Sequence, residues 1–120
     1  MPVEPLKLTR HGGAAITLDV QYRLRISAEA MRELKLSPYQ YVIISVDVEN
    51  KRLGLVKQEL AKLPNASAIK IDKRGYLGVK AGKEVTSKLA IVDADLPLKF
   101  EDIGWIDSDG IRWRAFELSE

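Results

Sequence analysis

The chain has no cysteine and a single histidine, His11. Without thiolates there is no disulfide framework and no sulfur-ligated metal, and one histidine falls short of the ligand set a bound zinc needs. The same absences remove the usual parts of nucleophilic catalysis, an activated thiol or a hydroxyl beside an imidazole base. Carboxylates in the last third fall in turns, where solubility explains them. No enzyme, metal or cofactor is therefore expected. No apolar run approaches the roughly 18 residues of a membrane span. The opening Met1-Pro2-Val3-Glu4-Pro5 lacks the basic start and apolar stretch of a secretory leader. A cytoplasmic protein with no membrane partner is expected. Two further motifs are discounted. Gly75, Gly78 and Gly82 match neither the dinucleotide fingerprint nor the P-loop. Asp107-Ser108-Asp109-Gly110 lacks the closing glutamate of a calcium loop.

What is present is an ordinary globular composition, 46% hydrophobic and 30% charged over 120 residues, fit for one compact domain or two small units sharing a core. The net charge of +2 conceals an asymmetry. Between Leu60 and Ala90 seven lysines and arginines meet two acids, whereas from Ile91 to Glu120 three basic residues meet eight acids. Either the blocks neutralise each other across a sheet, or they serve different partners.

A repeat organises the chain. Ala15-Ile16-Thr17-Leu18-Asp19 aligns with Ala68-Ile69-Lys70-Ile71-Asp72, and Leu24, Ile26 and Ala28 align without a gap with Leu77, Val79 and Ala81. The apolar positions are spaced by two, as the buried face of a strand requires, so each half opens as strand, turn, strand. In the first copy Ser27 is a good N-cap and Ala30, Met31 and Leu34 form the stripe of a short helix, which Ser37-Pro38 ends. A hairpin follows, Tyr41–Val46 and Arg52–Val56 around Glu49-Asn50-Lys51. The second copy reads differently after Ala81. Gly82 and the following polar run have poor helix propensity, Leu89-Ala90-Ile91-Val92 reads as strand, and Gly104–Ile106 and Ile111–Phe116 form a hairpin on an Asp-Gly turn. The divisions are an N-terminal arm (1–14), a first unit (15–60), a connection (61–67) and a divergent second unit (68–120). Trp105, Trp113, Phe116, Tyr39 and Tyr41 are expected in the core.

The first copy resembles the swapped-hairpin unit of AbrB-type regulators, shared with MazE-type antitoxins and found twice per chain in MraZ-type regulators. The resemblance rests on Leu18-Asp19, Arg23-Leu24-Arg25-Ile26-Ser27, the helix ending Leu34-Lys35-Leu36, and the hairpin after it. Ser27 stands where proline is usual and Lys35 where glycine is usual. In the second copy Asp72 and Gly75 remain, but Tyr76 replaces the arginine and Lys80 the proline. The resemblance implies a mainly β fold with one or two short helices, a swapped-hairpin β-barrel of two pseudo-symmetric halves; a double-psi barrel is the alternative. It also implies DNA contact by Arg23 and Arg32.

The residues themselves add Arg25 beside Arg23, Lys70, Lys73 and Arg74 on the counterpart hairpin, and Lys7 and Arg10 on an arm that Gly12-Gly13 would let swing. Arginine bonds guanine or phosphate bidentately, and lysine supplies charge. The expected function is a transcriptional regulator bound to double-stranded DNA, as a monomer or homodimer. The rival is a protein-interaction module, antitoxin-like or polymerase-directed, using the acidic C-terminal block.

Overall fold

The computed structural model describes residues 14–61, 63 and 66–119; of the N-terminal arm only Ala14 is among them, and Lys7 and Arg10 lie outside. Eight strands form one antiparallel sheet: β1 (Ala15–Leu18), β2 (Leu24–Ile26), β3 (Tyr41–Asp47), β4 (Arg52–Lys57), β5 (Ile69–Lys70), β6 (Tyr76–Gly78), β7 (Leu98–Ser108) and β8 (Ile111–Leu118). Helix α1 (Ala28–Glu33) follows β2, and the main helix α2 (Val79–Lys88) follows β6. The strand order is β5-β3-β4-β8-β7-β1-β2-β6.

The two outermost strands of that order, β5 and β6, are consecutive in the chain. The turn joining them is bonded on both flanks. On one side the Tyr39 amide donates to the Ile71 carbonyl and the Ile71 amide to that of Gln40; on the other the Ile26 amide donates to the Gly75 carbonyl. The sheet is therefore a nearly closed barrel. Its interior is filled by the alternating positions of the strands: Ile16, Leu18, Leu24, Ile26, Val42, Leu53, Phe100 and Phe116 are fully enclosed. A smaller cluster lies on the outer face, where Ile43, Val56 and Ala61 pack with Leu63, Ala66, Ile111 and Trp113. The connection after β4 thus covers part of the sheet's outside.

Both helices end alike. In α1 the Leu36 amide donates to the Met31 carbonyl and the Lys35 amide to that of Arg32; in α2 the Ile91 amide donates to Thr86 and the Ala90 amide to Ser87. Lys35 and Ala90 occupy the left-handed region, with φ of 55° and 54°. This is the double bond pattern that closes a helix through a left-handed residue. The expectation of a strand at Leu89–Val92 is thereby corrected: Leu89-Ala90-Ile91 is the counterpart of Leu34-Lys35-Leu36. Val79, expected on a strand, opens α2.

Gly82 explains how a helix forms over a sequence of poor propensity. It is buried in α2, and a Cβ there would overlap the carbonyl oxygen of Tyr22. The helix packs directly on the first hairpin's turn, so tertiary contact overrides propensity. The aromatic expectations divide. Phe116 is core and Trp113 caps the outer cluster, but Trp105, Tyr39 and Tyr41 are 50%, 57% and 46% exposed. Tyr39 lies in the turn before β3, Tyr41 shares the outward side of β3 with Ile43, and Trp105 stands opposite Arg114 beyond the register shift in β7.

One buried ion group ties α1 to the β7–β8 hairpin. Arg114 Nε donates to Asp102 Oδ1 at 2.7 Å, and its Nη2 reaches Asp102 Oδ2 and, at 3.3 Å, Glu33 Oε2. The Arg114 and Asp102 side chains are 10% and 2% exposed. The hydrogen bonds from Arg114 to Asp102 outweigh the cost of burial and raise the guanidinium's pKa further. A register shift between Asp102 and Gly104 aims the carboxylate, and the Gly104 amide donates to it at 2.9 Å.

Two substitutions test these contacts by thermal unfolding. Gly82→Ala gains about 1 kcal/mol in helix propensity, yet it is expected to destabilise the fold by about 2 kcal/mol because backbone must move. Asp102→Ala leaves Arg114 buried beside an incomplete carboxylate shell and is expected to cost about 3 kcal/mol. Unchanged melting in either case would refute the packing described.

Candidate nucleic-acid interface

Two turns of matching construction form one end of the barrel. In the β1–β2 turn Asp19 Oδ1 accepts from the amides of Gln21 and Arg23, both at 2.9 Å. In the β5–β6 turn Asp72 Oδ1 accepts from the amides of Arg74 at 2.7 Å and Tyr76 at 2.9 Å. The backbone agrees as well: the Tyr22 and Gly75 amides donate to the Asp19 and Asp72 carbonyls, and both residues have positive φ, 64° and 89°. The aspartates define the turns because a carboxylate oxygen stands in for a missing backbone acceptor.

The turn bonds also hold these carboxyls acidic. For Asp72 the Tyr76 amide lowers the pKa most, against a smaller opposing effect of desolvation. For Asp19 desolvation is the largest single influence and acts upward, but the combined bonds from the Arg23 amide, the Arg23 guanidinium and the Gln21 amide bring the net shift below the ordinary value.

Pairing of β2 with β6 sets the turns side by side, with Arg25 opposite Tyr76. The Arg23 guanidinium lies over the Tyr76 ring, 4.9 Å from its centre, and that of Arg25 approaches to 5.8 Å. Each arginine is held through Nε. Arg23 bonds Asp19 Oδ2 at 2.7 Å, and Arg25 bonds the Arg74 carbonyl at 3.1 Å. The terminal nitrogens of both have no hydrogen-bond partner among the described residues. Lys70 stands 5.7 Å from the centre of the Tyr39 ring. Arg23, Tyr39, Lys70, Lys73, Arg74 and Tyr76 line a shallow groove of about 610 Å³, in which Asp72 is the one acid among the described residues. That carboxylate is occupied by its two amides.

Five of the residues singled out in the sequence, Arg23, Arg25, Lys70, Lys73 and Arg74, thus share one surface. Arg32 does not join them by any contact among the described residues; it is exposed in the last turn of α1. Tyr76 and Tyr39 were not foreseen as parts of the surface. The signal for Tyr76 was the alignment itself, which sets it against Arg23. The basic and acidic blocks are not joined by direct ion pairs: among the described residues none links Lys70, Lys73, Arg74, Lys80, Lys83 or Lys88 to an acid of residues 91–119. No cluster of three or more metal-ligating side chains occurs among the described residues, and none of their helices is long and apolar enough to cross a membrane.

No family model matches the sequence, and no curated protein or solved structure is significantly similar to it.

The turn carboxylates carry a testable pH dependence. Because the folded pKa is depressed, the stabilising contribution is complete above the ordinary aspartate value of 3.8 and is lost as pH falls through the lower folded value. Amide chemical shifts of Arg74 and Tyr76 are expected to titrate together with a midpoint below 3.8. A midpoint at or above that value would mean that the carboxylate does not hold the turn.

Proposed function

We propose that this chain is a DNA-binding regulator of the AbrB/MraZ-like kind, in which two copies of one unit interleave within a single polypeptide. The observation that carries the function is the convergence on one end of the barrel of five cations, two of them arginines held through Nε, against the two turn carboxylates of Asp19 and Asp72. Supporting the two-copy architecture is the order of pairing. Each copy contributes strand, strand, helix and hairpin, and β1 pairs with β7 while its counterpart β5 pairs with β3. Exchanging the copies leaves the ring of neighbours unchanged once β5 and β6 are counted as adjacent. The antiparallel pairing of all eight strands favours interleaved hairpins over a double-psi barrel.

Phosphate contact by this surface is electrostatic, and base contact is open to the arginines' free ends. Three to five neutralised phosphates give a salt slope between about −2.7 and −4.5, so affinity for duplex DNA is expected to fall roughly 40- to 500-fold between 50 and 200 mM salt. Fluorescence anisotropy with a labelled duplex measures this. The joint Arg23→Ala and Arg25→Ala replacement is expected to weaken binding at least about tenfold, with the circular dichroism spectrum unchanged. No duplex binding at low salt, or full binding by the double variant, would overturn the proposal.

A second reading is favoured by the β7–β8 hairpin. Trp105 is half-exposed there, with Arg112 and Arg114 over its ring at 5.7 and 5.1 Å, a surface suited to docking a protein. A defined protein copurifying with the chain, lost in Trp105→Ala, is the result this reading expects.

A further inference from the structure

We propose that the cationic end recognises duplex DNA asymmetrically: one chain occupies one non-palindromic site, with Arg23 and Arg25 on base edges and the second copy's cations on phosphates. This rests on the DNA-binding reading above and goes beyond it in fixing the form of the target and the division of labour.

The argument comes from positions that the repeat makes equivalent. Thr17 corresponds to Lys70, Val20 to Lys73, Gln21 to Arg74, Arg23 to Tyr76, and Arg25 to Gly78. In each pair one member is a cation and the other is neutral. The two copies therefore present complementary patterns of charge, and a two-fold symmetric ligand would meet different chemistry on its two sides.

The difference is one of kind as well as place. The first copy's cations are arginines whose orientation is fixed, by Asp19 and the Arg74 carbonyl at Nε and by the Tyr76 ring beneath. A fixed guanidinium with free terminal N–H groups suits the paired acceptors of a guanine edge. The second copy offers Lys70, Lys73 and the exposed Arg74, none of them in an ion pair among the described residues. Exposed, unpaired cations serve as charges that follow a phosphate backbone.

Equivalence is broken where the copies touch. Arg23 and Tyr76 are equivalent residues in contact with each other, so they lie beside the axis relating the copies. An arginine at both positions would set guanidinium against guanidinium; the tyrosine instead provides a face that holds both first-copy arginines. One chain also supplies both turns and the β2–β6 pairing that joins them, so a second chain is not required to build the surface.

The test is enrichment of bound molecules from a pool of duplexes carrying about 20 random base pairs, two turns of helix, followed by the stoichiometry of the enriched complex. The expected result is a motif without an inverted repeat, bound by one chain. Arg25→Ala should then erase the preference at one side of that motif, whereas Lys73→Ala should weaken all duplexes alike and reduce the salt slope by about one. An enriched inverted repeat, a two-chain complex, or tight binding with no enriched motif would overturn the asymmetric reading and leave DNA binding standing. Retention of no duplex at low salt would overturn the DNA-binding reading itself.

Discussion

Each strand of one half of the chain pairs with a strand of the other, and the sheet's two outer edges, on β5 and β6, meet at the seam of the barrel. β1 pairs with β7, β2 with β6, β3 with β5 and β4 with β8, so within each half only the hairpin partners are local. Backbone amides and carbonyls at a sheet edge need partners as firmly as those inside. Neither half can satisfy that need alone. The barrel, its core and the surface at its end all follow from this exchange of edges.

The cationic surface is the clearest product of the exchange. Arg23 and Arg25 come from one half, Tyr76 and the Arg74 carbonyl from the other, and the β2–β6 pairing brings them into contact. Asp19 and Asp72 do the local work by giving each turn a fixed shape. Both carboxylates stay ionised, and Asp19 also pairs with Arg23, so the surface is positive because its five cations outnumber these two acids. The buried Arg114–Asp102 pair, reaching the exposed Glu33 of α1, plays the corresponding part elsewhere, fastening α1 to the long hairpin of β7 and β8.

Much of this was legible in the residues. The alternation at Ile16, Leu18, Leu24 and Ile26 marked strands with one buried face, Ser27 marked the start of α1, and Asp109-Gly110 marked the hairpin turn, where both residues take positive φ. The second helix was hidden. Its stabilising contact is with Tyr22, far off in sequence, and the helix-closing Ala90 lies 55 residues after Lys35 where the turns are 53 apart. Two extra residues were enough to break the alignment and make Leu89–Val92 resemble a strand. Trp105 misled for another reason. Hydrophobic alternation says which side of a strand is apolar, but not whether that part of the strand still faces the barrel. The grouping of the five cations required the cross-half pairing, which no local pattern contains; only their equivalent places in the two turns hinted at it.

The pairing order also has a consequence in time. β1 and β2 are made first, yet β1 must wait for residues 98–101 before its outer edge is covered. As the chain grows from its N-terminus, the β1–β2 hairpin is an early, open-edged template during most of synthesis. Such an edge is exposed to pairing with the wrong strand, including one from another growing chain. A fold assembled from distant contacts forms slowly, and here its closing step belongs to the last hairpin to be made. The Asp19 turn, complete within residues 19–23, needs nothing from the rest of the chain to set that hairpin's register.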